Sequence, residues 1–130
     1  AAKLKEKNDI ENKINALDKV HFAFDSAALT NAGKKTLSDL TLILNEYPKL
    51  QLEISSHTDS RGTSVYNQSL SERRLKSTLD YLTNKGIDSS RIEGKAFGEE
   101  RLLNECDDNT KCSESKHAEN RRSDFKIINH

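Results

Sequence analysis

One stretch, residues 50–87, limits what this chain can fold into more than any other. Leu50, Leu52 and Ile54 alternate with Gln51, Glu53 and Ser55, the period-two pattern of a half-buried strand. Leu75, Leu79 and Leu82 then recur at helical spacing. A polar loop beginning His57-Thr58-Asp59-Ser60-Arg61-Gly62 joins the two. Carboxylates and amides set where a strand ends and a helix begins commonly hold a ligand.

The remaining pattern extends this unit on both sides. Val20, Phe22 and Phe24 alternate with His21 and Ala23 as a first strand, which Asp25-Ser26 ends. Thr30 is placed to cap a helix carrying Leu37, Leu40, Leu44 and Tyr47 on one side, and Pro48 stops it. The second helix reads as two parts, a short turn capped by Ser64 and a longer piece, Glu72 to Lys85, capped by Ser71. Gly86 stands where a helix wants a left-handed terminal residue. Ile92, Gly94 and Ala96 suggest a third strand with room for close helix packing, and Phe125 and Ile127 mark a fourth. The order β-α-β-α-β-loop-β predicts an α/β (α+β) sandwich, a mixed four-stranded sheet with helices on one face. Gln51, Glu53, Arg122, Asp124 and Lys126 assign the other face to water.

Residues 1–19 are mostly charged and amidic, with Ile10, Ile14 and Leu17 on one helical stripe. They read as an N-terminal linker or short helix ahead of a single domain over residues 20–130. Net charge is zero, which gives no electrostatic case for nucleic acid or an anionic membrane. No apolar run approaches the ~20 residues that span a bilayer.

Hydrolytic chemistry finds little support. There is no Gly-x-Ser-x-Gly elbow, and His57 and its strand neighbours point to opposite faces. The four histidines show no His-Glu-x-x-His spacing. Neither a catalytic residue, a metal nor a cofactor is expected.

The quoted pieces resemble the OmpA-like peptidoglycan-binding domain. Thr58-Asp59, Gly62, Tyr66-Asn67, Leu70-Ser71-x-x-Arg74, Tyr81-Leu82 and Gly86-Ile87 follow the family pattern in order and spacing. Upstream HFAFDSAALT and downstream ENRRSDFKI match its first and last strands. The resemblance implies a periplasmic domain of an outer-membrane-associated protein that binds peptidoglycan without chemistry. Its partner would be the meso-diaminopimelate stem peptide. A membrane-anchoring domain is expected upstream, with no membrane contact by this domain itself. The chain would then be a mature fragment or an excised piece. A stator or trans-envelope complex is the alternative parent, and a peptidoglycan hydrolase the alternative from another class.

By motif position, Asp59 would take the diaminopimelate ammonium, as an acceptor-only group suits it, and Arg74 the carboxylate, as a planar bidentate donor does. Asn67 would contact the stem peptide, while Tyr66 and Leu70 would pack the loop. Arg121 is preferred over Arg122 for the pocket because it shares parity with Phe125 and Ile127. Asp25 is either a ligand contact or a turn residue. Cys106 and Cys112 read as a disulfide in an exported domain, closing a loop remote in sequence from Asp59 and Arg74. Ser56 and Leu75 depart from the family's usual Gly and Ala.

Overall fold

The computed structural model describes residues 2–130. Helix α1 (Ala2–Asn15) leads into a short strand β1 (Val20–His21), then α2 (Asn31–Glu46), β2 (Gln51–His57), α3 (Ser64–Asn84), β3 (Ile92–Gly98), α4 (Glu114–Asn120) and β4 (Arg122–Asn129). The sheet order is β1-β4-β2-β3. Strand β2 runs parallel to β3 and antiparallel to β4, and β4 runs antiparallel to β1. The mixed four-stranded sheet is the one the alternation predicted.

One core lies between the sheet and its helices. Leu37, Leu40 and Leu44 of α2 are fully buried against Val20, Leu52, Ile54 and Leu82, and Ile10 and Ile14 of α1 join them. Each such side chain contributes roughly 1.5–3 kcal/mol on burial. The Thr30 hydroxyl accepts from the backbone N–H of Gly33, so the predicted cap forms. Gly86 follows the end of α3 with φ 93°, a conformation that glycine adopts without steric cost.

Three local expectations are corrected. Helix α3 is continuous, capped by Thr63 rather than broken at Ser71. The Ser71 hydroxyl donates to Gln68 O and accepts from Gly98 N–H, so it ties α3 to β3 instead of starting a helix. Strand β1 is paired only over Val20–His21; Phe22 still enters the core, but Phe24 leaves the sheet and is exposed. The loop before β4 contains α4, whose polar sequence carries no apolar stripe for a periodicity reading to find.

Both departures from the family pattern have local reasons. The Ser56 hydroxyl pairs with Ser123 at 2.7 Å, and Ser123 with Thr78 at 3.0 Å, joining β2, β4 and α3 in the interior. Leu75 lies over Gly94, where a Cβ would come within 3.1 Å of a Leu75 methyl. The small residue on β3 makes the space that the larger residue on α3 fills.

Candidate functional site

A cavity of about 200 Å³ opens at the carboxyl end of β2. Four segments wall it: the turn after β1, the β2–α3 loop, the first turns of α3 and the residue before β4. All five predicted ligand residues, Asp25, Asp59, Asn67, Arg74 and Arg121, line it. The loop is held in place from two sides. Thr58 N–H donates to Gly98 O at 2.9 Å. The Asn67 amide donates to Asp59 O, Arg61 O and a Glu99 carboxylate oxygen.

Asp59 is almost wholly buried. Its Oδ1 accepts from the Arg61 backbone N–H at 3.0 Å. Its Oδ2 accepts from Arg61 Nη2 at 2.8 Å and Arg121 Nη1 at 3.4 Å. Burial works against the ionised form, but the hydrogen bonds and charge of Arg61, with Arg121 behind, outweigh it and hold the carboxyl below the usual carboxylate range. The site therefore presents a fixed negative charge at neutral pH.

Arg74 lies at the base of the cavity with no exposed surface. Its Nε donates to Ser26 O at 2.8 Å, Nη1 to His57 O at 3.1 Å and Nη2 to Ala23 O at 3.1 Å. Three of the five guanidinium N–H groups are thus spent on backbone carbonyls, leaving two. Burial lowers its pKa to about 10, with Asp59 opposing the shift, so it remains a cation at neutral pH. Arg74 is therefore a braced cation, not the free fork that the motif suggested, and it also ties the β1 turn to the end of β2.

The two neighbouring arginines divide as parity predicted. Arg121 donates Nε to Phe22 O at 2.7 Å and turns Nη1 to both Asp59 and Glu114. Arg122 points away to the other face, yet it is buried rather than in water as its strand pattern predicted, because Asp124, Asn120 O and Arg101 O accept from its three nitrogens. Asp25 has φ 56° in the turn and accepts from the Tyr66 hydroxyl at the rim, so it holds a turn and lines the cavity at once. Tyr66 is exposed and lines the opening, contrary to the packing role expected of it; Leu70 is buried as expected.

Sequence reasoning passed over three residues here. Phe24 stands exposed at the rim with the Arg61 guanidinium 4.3 Å from its ring centre. Arg61 bridges Asp59 and Glu114, the latter at 3.0 Å. Asp59 and Arg61 are two apart in one turn, a spacing that could have signalled the pair. Glu114 comes from a helix that no pattern announced.

Cys106 and Cys112 are joined, with Cα atoms 5.8 Å apart. The pairing spends both thiols. The loop is not remote from the site: the Ser60 hydroxyl donates to Cys106 O, and Cys112 immediately precedes Ser113, the cap of α4 that presents Glu114. Separation in sequence misjudged separation in space.

The architecture and this cavity define a class, an α+β domain with a charged recess at the end of its central strand. The peptidoglycan-associated lipoprotein of Burkholderia pseudomallei has the same fold, with a TM-score of 0.77 and 28% identity over 86% of this chain and 91% of that one. The OmpA family model matches residues 21–116, and the chain belongs to the OmpA family. It is 33% identical to the peptidoglycan-associated lipoprotein of Brucella melitensis over 105 residues, 81% of this chain and 62% of that protein. It is 35% identical to outer membrane porin F of Pseudomonas aeruginosa over 83 residues, 63% of this chain and 24% of that protein. The chain thus spans under two thirds of the length of these curated relatives.

Proposed function

We propose that this domain binds peptidoglycan non-covalently through the meso-diaminopimelate of the stem peptide, and so anchors an envelope protein to the cell wall from the periplasmic side. The observation that carries the reading is the pairing of a depressed, buried carboxylate, Asp59, with a braced guanidinium, Arg74, on one small cavity. A free amino-acid end is a zwitterion of matching size. Its ammonium needs an acceptor and its carboxylate needs N–H donors. Asp59 supplies the first. The two uncommitted N–H groups of Arg74, with Arg121 beside them, supply the second. Membership of the OmpA family and the likeness to proteins named for association with peptidoglycan support the same reading.

Asn67 contributes mainly by fixing the loop, since its N–H groups go to Asp59 O, Arg61 O and Glu99. In this reading the domain holds its ligand without cleaving it. Calorimetric titration with diaminopimelate- and lysine-type stem peptides tests the assignment. The two differ by one carboxylate, and the lysine peptide leaves the guanidinium unpartnered. It should bind more weakly by roughly 1–3 kcal/mol. Equal affinities would mean that the cavity does not read that carboxylate.

A further inference from the structure

The carboxylate assigned to the ligand ammonium already has a cation on it. Arg61 fills both Asp59 oxygens, one through its backbone N–H and one through Nη2. The backbone contact belongs to the loop. The side-chain contact is of another kind, because the Arg61 side chain is about one third exposed (35%) and its far nitrogen is on Glu114. Arg121, the other cation on Asp59, is buried, tied to Phe22 O, and sits farther from the carboxylate, at 3.4 Å. Both also reach Glu114, Arg121 at 2.8 Å and Arg61 at 3.0 Å, but only Arg61 is partly exposed, while Arg121 is held in the interior by Phe22 O.

From these contacts we propose that Arg61 is an internal occupant of the Asp59 site, a guanidinium that the incoming ammonium displaces, and that Glu114 retains it once displaced. The inference rests on the reading of Asp59 as the ammonium acceptor. Oδ2 already accepts from Arg61 at 2.8 Å and from Arg121 at 3.4 Å, and an oxygen with two lone pairs has no place for a third cation in so buried a position. When Arg61 lets go of Oδ2, it keeps its Glu114 partner and the ring of Phe24, which is exposed and needs no rearrangement to hold it. The displacement is a side-chain rotation, and the loop backbone stays where Asn67 clamps it.

This arrangement has a consequence for specificity. Affinity for the ligand becomes a difference between two cation–carboxylate contacts. A hydroxyl or a neutral amide cannot replace a guanidinium on a carboxylate, so the empty site is closed to uncharged polar groups. The internal cation also relieves Asp59 of being an unpaired buried charge when no ligand is bound. Glu114 becomes a specificity residue that never touches the ligand, and α4, set by the disulfide-closed loop before it, acquires a role in binding.

The test is calorimetry of the whole chain with the tripeptide L-Ala–D-Glu–meso-diaminopimelate. Arg61→Gln removes the competitor and should bind three- to tenfold more tightly than the wild type. Glu114→Gln removes the holder and should bind more weakly by a similar factor. In the Arg61→Gln background, Glu114→Gln should change affinity less than it does in the wild type, because of its two cations only the buried Arg121, fixed by Phe22 O, remains. Arg61→Lys keeps a weaker competitor and should fall between wild type and Arg61→Gln. If Arg61→Gln binds equally or more weakly with an unchanged melting curve, Arg61 is a ligand contact or a bystander and the proposal is wrong. An Asp59→Asn arm separates the two failures. Binding that survives it overturns the Asp59 reading, and this proposal with it; binding that is lost, with Arg61→Gln no tighter, overturns this proposal alone.

Discussion

Arg121 and Arg122 are adjacent in sequence, both are buried, and they belong to two different charge clusters. Arg121 looks into the cavity, where Asp59, Arg61 and Arg74 surround open space, with Glu114 paired to the two arginines Arg61 and Arg121. Arg122 looks across the other face of the sheet, where Asp124 meets Lys19 at 2.7 Å and Arg122 at 2.9 Å, with His57 3.6 Å away. There each Arg122 nitrogen finds a partner, and the loop carrying Arg101 O closes over it. Strand alternation sends neighbouring residues to opposite faces. The chain uses that rule to build an open cavity on one side and a seal on the other from the same residue type. Buried charge alone therefore does not mark a site. What distinguishes the first cluster is a cavity with exposed aromatic rings, Phe24 and Tyr66, at its mouth.

The largest expected effect lies where one residue serves both purposes. Arg74→Ala takes the partner from the half-buried carbonyls of Ala23 and Ser26 and from the buried carbonyl of His57, and empties a fully buried position. It should destabilise the fold by about 3–5 kcal/mol, read by urea denaturation. A loss below about 1 kcal/mol would mean that the guanidinium is not the brace described. Because the variant disturbs folding, changing the ligand's carboxylate is the cleaner probe of what Arg74 recognises.

The second effect separates the clusters by pH. Burial, and then the charge of Arg122, lower the His57 pKa to about 4, against 6.5 for an unperturbed side chain. Between those values the unfolded chain binds a proton that the folded chain refuses, so stability falls as pH falls through this window. The loss should reach roughly 2–3 kcal/mol near pH 4, and His57→Gln should flatten the curve. Asp59 stays ionised through the same window, since its own pKa is depressed. Binding by the molecules that remain folded should therefore persist while stability declines. A stability curve that keeps its slope in His57→Gln would assign the effect elsewhere.

The third effect is smaller and joins the two regions. Reducing Cys106–Cys112 should lower stability by roughly 2 kcal/mol, the chain-entropy figure for so short a loop. It should also weaken stem-peptide binding a few-fold, since the loop touches Ser60 and leads into Glu114. Unchanged affinity after reduction would mean that α4 and the Ser60 contact hold without the bridge.

Most of the fold was readable because its core residues repeat at periods of two and of three to four. Leu50 just ahead of β2, Leu52 and Ile54 on it, and Leu37, Leu40 and Leu44 on α2 are all fully buried. Helix α4 was invisible for the opposite reason: it is held by a cap and by polar contacts, and its sequence has no apolar face. Of the charged residues of the cavity, Arg61 was missed, but Asp59 and Arg74 were legible from a motif and Arg121 from parity. What the cavity does with them was not. The carbonyl brace on Arg74 depends on where the β1 turn lies, and the Asp59–Arg61–Glu114 bridge joins residues from two ends of the chain. Such relations are properties of packing, and no local pattern carries them.

The most direct measurement compares one substitution on each face. Asp59→Asn and Asp124→Asn change the same atoms in the same residue type, one in the cavity and one in the sealed cluster. Each purified variant would be sedimented with diaminopimelate-type sacculi after its melting curve is recorded. Asp59→Asn should lose most of its co-sedimentation, by a factor of ten or more for about 1.5–3 kcal/mol of charge-assisted bonding. Asp124→Asn should co-sediment like the wild type, at some cost in melting temperature. Full co-sedimentation of a folded Asp59→Asn protein, or equal loss in the two, would contradict the claim that the cavity holds the wall.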